Sequence, residues 1–101
     1  MEKDQLENRM RFAEHVLERQ GAVPLDINQK NRELLGQRVT YRLGGVYYRI
    51  DHAEIEGKTF IILSATESKE YAGIGLMDDI QAISADAGDE TIRRKLLEAM
   101  V

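Results

Sequence analysis

A chain of 101 residues with one proline, no cysteine and a formal net charge of −4 has the size of a single domain. The missing cysteines exclude disulfides, thiolate metal sites and a cysteine nucleophile. A composition 43% apolar and 32% charged belongs to a folded chain, and the acidic balance argues against nucleic acid as the main partner.

Residues 2–19 carry Leu6, Met10, Ala13 and Leu17 at spacings of three and four, widened by Phe12 and Val16. That pattern predicts an amphipathic helix. The segment is charged throughout and has no apolar run, so it reads as neither a signal peptide nor a membrane span. Together with the absent cysteines, this sets the expectation of a cytoplasmic protein. Gly21 can end the helix in the left-handed conformation, and Pro24 prevents immediate re-entry. A second helix is expected over residues 27–35, with Asp26 as cap, Gln29 completing a capping box and Gly36 as stop.

The strongest local signal follows. Residues 38–43 and 46–50 alternate apolar and polar around Gly44-Gly45, a pair suited to a two-residue hairpin turn. The turn sets the register. Leu43 faces Val46, Tyr41 faces Tyr48 and Val39 faces Ile50 on one side, while Arg42 faces Tyr47, Thr40 faces Arg49 and Arg38 faces Asp51 on the other. The second strand continues to Ile55, turns at Glu56-Gly57 and returns over residues 58–65. The apolar run Phe60-Ile61-Ile62-Leu63 reads as a strand covered on both faces. After a polar turn at residues 67–71, two short strands are expected at 73–77 and 80–84. The competing reading makes residues 76–85 a helix. A last helix spans about residues 88–100, capped by Asp86 or Asp89, with Ile92, Leu96, Ala99 and Met100 on its apolar side.

These elements define an α+β chain with one domain: a two-helix arm (1–36), an antiparallel meander (37–85) and a C-terminal helix (86–101). Five short strands with glycines at the bends resemble a small SH3-like or OB-like barrel. That resemblance concerns fold and implies no activity.

Few residues suggest chemistry. Arg38, Arg42 and Arg49, with Tyr47 among them, could form a phosphate-binding and base-stacking face. Asp51 opposite Arg38 equally supports a solvated sheet face. Asp78-Asp79 and Asp86, Asp89 and Glu90 could ligate a hard cation, but their spacing fails the EF-hand pattern and the last three already suit a helix start. His52 lies beside Asp51 in a strand, so the two point to opposite faces and cannot form an acid–base pair. Gly73-Ile74-Gly75 falls short of any dinucleotide or phosphate loop. No catalytic residue, cofactor or metal is expected, and an enzyme would need His52 or Asp78 and Asp79 in a pocket.

The apolar stripe of the first helix, Leu6, Met10, Phe12, Ala13, Val16 and Leu17, is wide for a core on a small sheet and marks a candidate contact with another chain. The expected function is a non-catalytic interaction or regulatory module that binds a protein partner or a second copy of itself. A weak nucleic-acid-binding module on the Arg/Tyr face is the alternative.

Overall fold

The computed structural model describes residues 1–25 and 39–100. In chain order these form α1 (Lys3–Arg19), β1 (Val23–Leu25), β2 (Thr40–Leu43), β3 (Val46–Ile55), β4 (Lys58–Thr66), α2 (Lys69–Gly73), β5 (Asp79–Ser84) and α3 (Asp89–Ala99). The five strands make one antiparallel sheet in the order β1-β2-β3-β4-β5. The chain is α+β, with helices at both ends and a meander between them.

The barrel expectation is corrected. Among the described residues no pairing joins β1 to β5, and the five-stranded sheet is not closed. A closed barrel needs strands that carry their pairing right around the axis. Here β1 has only three residues, too short to close that circuit.

The two long helices, α1 and α3, form where the sequence places them. In α1 the stripe Met10, Ala13, Val16 and Leu17 is buried, Gln5 Oε1 accepts the Glu2 backbone N–H at 3.3 Å, and Gly21 follows at φ +98°. In α3 the buried positions are Ile92 and Leu96. Its cap differs from the expectation: Gly88 is the N-cap, without a side-chain hydrogen bond, and Asp89 and Glu90 sit in the first turn. The helix expected at 27–35 lies outside the described residues.

The first hairpin has the expected register from Thr40↔Arg49 to Leu43↔Val46. Its strand starts at Thr40, so Val39 makes no ladder pair, and Arg38 lies outside the described residues. The β3–β4 hairpin turns through Glu56 and Gly57, both at positive φ, the geometry of a two-residue turn that matches the strand twist.

Two expectations fail around it. Val23–Leu25 forms an edge strand on β2, because a proline can occupy an edge where its missing N–H faces away from the ladder. Residues 73–77 are not a strand. Ser68 Oγ accepts the Tyr71 N–H at 3.2 Å, which caps α2, and that helix ends where strand was expected. Over 79–84 the strand alternative holds, and the helix alternative for 76–85 does not.

One face of the sheet carries the core. Tyr41, Tyr48, Ile50, Ile61, Leu63 and Ile83 are buried with the apolar sides of α1 and α3, and α1 packs on both α3 and β3. The other, outer face is uneven. Thr40, Ser64 and Thr66 are buried there, whereas Phe60 and Ile62 are only half-buried. The apolar run of β4 is therefore not covered equally on both sides, contrary to expectation.

Candidate protein-docking edge

Four of the six candidate contact residues on α1 belong to the chain's own core. Met10, Ala13, Val16 and Leu17 are 0–4% exposed, so they offer nothing to another chain. Leu6 and Phe12 are half-buried and pack against the same cluster. The stripe is wide because both the sheet and α3 need covering.

The Arg/Tyr face is only partly presented to solvent. Arg42 is exposed and Tyr47 half-buried. Nε and Nη1 of Arg49 are enclosed and have no hydrogen-bond partner among the described residues, and the same holds for Thr40 Oγ1. Two of the three guanidinium nitrogens of Arg49, with three of its five N–H donors, are thus turned away from any phosphate in solvent, and Arg38 lies outside the described residues.

The two histidines lie on different elements, and the titratable side chains form small local groups, one of them His15, Arg19, Asp89, Glu90 and Arg93 around a cavity between α1 and α3. His15 Nδ1 is 3.7 Å from Glu18 Oε2 on the exposed side of α1. His52 is exposed on β3, where its backbone N–H donates to Asp51 Oδ1 at 2.8 Å. Asp78 Oδ2 accepts the Thr66 hydroxyl at 2.7 Å, a structural bond between β4 and the approach to β5. A half-open cavity of about 570 Å³ beneath the end of α3 is lined in part by Glu67, Asp78 and Asp79. Among the described residues no histidine, lysine or arginine lines it, so general acid–base work there would fall to the carboxylates and the Tyr48 hydroxyl. Among the described residues no group of three His, Cys, Asp or Glu side chains could hold a metal ion.

The most perturbed group is structural. The Tyr41 hydroxyl donates to Glu18 Oε1 at 3.0 Å and to Glu14 Oε2 at 3.5 Å. Burial first, and then the Glu14 carboxylate, push its pKa well above the usual tyrosine value. Burial alone raises that of Tyr48.

What remains is a set of exposed apolar side chains that the core does not use. Of the eight large apolar side chains exposed among the described residues, Tyr71, Ile74, Leu76 and Ile80 fall within ten consecutive positions leading into β5. Ile80 is 63% exposed. Among the described residues β5 pairs only with β4, and of its own residues only Ile83 is buried.

The backbone phase of β5 follows from one bond. The Ala85 N–H donates to the Thr59 carbonyl at 3.0 Å, one step past the Phe60↔Ser84 pair. Bonded pairs alternate in an antiparallel ladder. Ile83 and Gln81 therefore turn their backbone groups toward β4, and Ile80, Ala82 and Ser84 turn theirs toward the open edge. No charged side chain lies between Ile80 and Ser84. The signal for this edge was present in the sequence as the uncharged run 80–84, but only the strand order shows that β5 is last in the sheet among the described residues.

Compared with known proteins, the chain matches no family model, no curated protein and no solved structure. None of the described helices is long and apolar enough to cross a membrane.

Proposed function

We propose that the chain is a non-catalytic protein-interaction or regulatory module of the cytoplasm, docking its partner on β5 and the apolar segment before it. The observation that supports this is the exposed set Tyr71, Ile74, Leu76 and Ile80 in the segment leading into β5, a strand paired on one side only among the described residues and uncharged after Asp79. Exposed apolar surface next to open backbone donors and acceptors suits the addition of a strand from another chain, in which main-chain bonds give affinity and side-chain contacts give specificity.

The test is capture by the tagged full chain from lysate of its native host, with and without nuclease, in parallel with the double variant Leu76→Lys, Ile80→Lys. Protein partners, including untagged copies of the chain, are expected to resist nuclease and to be lost with the variant. Recovery of nucleic acid, with binding that falls steeply with salt and is reduced by Arg42→Ala, would replace this function with the nucleic-acid alternative. Partners that ignore the double variant would also overturn it.

A further inference from the structure

We infer that the partner of the β5 edge is a second copy of this chain, joined strand to strand into one continuous ten-stranded sheet; the inference rests on the docking function proposed above. Three features of the edge are self-complementary.

The first is the backbone. With Ile80, Ala82 and Ser84 facing outward, one antiparallel register uses all three. It pairs Ala82 with Ala82 of the second copy on the twofold axis, and Ile80 with Ser84 of the second copy on either side. Each such pair exchanges two hydrogen bonds. No proline interrupts the strand and no charge lies between its outward-facing residues, the devices that otherwise keep edges apart.

The second is the outer face. In this register Ile80 lies opposite a serine and diagonal to an alanine, both small, so its branched side chain has room to lie across the junction. Phe60 pairs with Ser84, and Ile62 with Ala82, on the adjoining strand, and both are half-buried. The half-covered apolar surface of each copy is thereby continued into that of the other.

The third is the inner face. α3 packs on β5, and Lys95 and Glu98 line the groove between that helix and Gln81, Ala82 and Ile83. A twofold axis through Ala82 sets the two copies of α3 side by side and antiparallel. Lys95 of one copy then meets Glu98 of the other, twice. Glu98 has Arg94 at 3.7 Å, whereas Lys95 has no ion-pair partner among the described residues. A surface carrying both signs in this order attracts its own copy.

The experiment is sedimentation equilibrium of the full chain, with thiol cross-linking for register. The expected mass at micromolar concentration is twice 11.5 kDa. Ala82→Lys places two like charges opposite each other on the axis and should raise the dissociation constant roughly tenfold or more, with an unchanged circular-dichroism melt at a concentration where both proteins are monomeric. The chain has no cysteine, so Ala82→Cys carries a single thiol. Bonded antiparallel partners lie about 5.5 Å apart at Cα, within reach of a disulfide. Mild oxidation should therefore link Ala82→Cys into a dimer and leave Val23→Cys, on the opposite edge, unlinked.

A chain that stays monomeric over the whole concentration range would overturn the second copy as partner, while the lysate capture separately decides whether the edge docks protein at all. A dimer indifferent to Ala82→Lys, or one in which Val23→Cys links as readily as Ala82→Cys, would overturn the β5 junction. Should Ala82→Lys fail to fold, the cross-linking pair decides the matter without it.

Discussion

At one edge of the sheet stands β1, three residues with Pro24 in the middle; at the other stands β5, six residues with neither proline nor any charge after its first position. The short edge is closed to visitors because it has little ladder to offer and one fewer N–H. The long edge keeps outward donors and acceptors at three alternate positions, beside an isoleucine 63% exposed. The faces beside them differ too. Near β2 the outer face encloses the polar atoms of Thr40 and Arg49, whereas near β5 it is apolar and half-open. Among the described residues one edge of the sheet is guarded and the other bare, and the docking proposal rests on that contrast.

The comparison can be broken most sharply at Ile83. This residue is the inner anchor of β5, 2% exposed and packed in the same core as α1 and α3. Ile83→Ala is expected to cost about 2–5 kcal/mol through lost burial and the cavity left behind, measured by urea denaturation. Ile80→Lys, three positions earlier and facing outward, should change monomer stability by no more than about 0.5 kcal/mol. Equal costs at the two positions would mean that β5 is not split into an anchored side and a free side.

The β1 side is sharpened by alkali. Pro24 pairs with Tyr41, whose hydroxyl is held by Glu18 and Glu14 and whose pKa is raised, chiefly by burial. A tyrosine with a folded pKa above its unfolded value of about 10 keeps a proton that the unfolded chain releases. Its contribution is complete below pH 10 and is lost as pH climbs from there toward the folded value, at up to about 1.4 kcal/mol per pH unit. Thermal melts between pH 8 and pH 11 should show this fall. Tyr41→Phe should flatten it more than Tyr48→Phe, because Tyr48 has burial alone behind its shift.

Between the two edges lies Arg49, opposite Thr40 on β2 and Ser64 on β4. Burying donors without partners costs on the order of 1–3 kcal/mol, so Arg49→Met, similar in length and free of donors, should hold the melting temperature or raise it. A fall of several degrees would show that the guanidinium stabilises the sheet and would return weight to the Arg/Tyr face as a designed feature.

How much of this was legible in the sequence depended on whether the cause was local. The α1 and α3 stripes follow from a period of 3.6, and the β2–β3 register from Gly44-Gly45, because each is decided within a few residues. β1 was hidden because Pro24 breaks local patterns, while an edge strand tolerates it. α2 was hidden behind Ser68, whose capping role competes with a simple polar turn in the same residues. The candidate site was barely legible. Whether Met10 or Leu17 faces a partner or the chain's own sheet is set by tertiary packing, and nothing in the sequence of Ile80-Ser84 says that no sixth strand follows beside it.

The smallest expected effect tests what guards the short edge. Pro24→Ala removes a residue that limits the unfolded chain, and by that route alone should lower stability by about 0.4–1 kcal/mol. It also restores an N–H where β1 faces away from β2. If the length of β1 is the main guard, three residues remain too few to recruit another strand and the mass in sedimentation stays as in the parent chain. Species larger than a dimer would mean that the proline ring, not the shortness of the strand, keeps this edge closed, since a chain with two usable edges can add copies without limit while a chain with one stops at two.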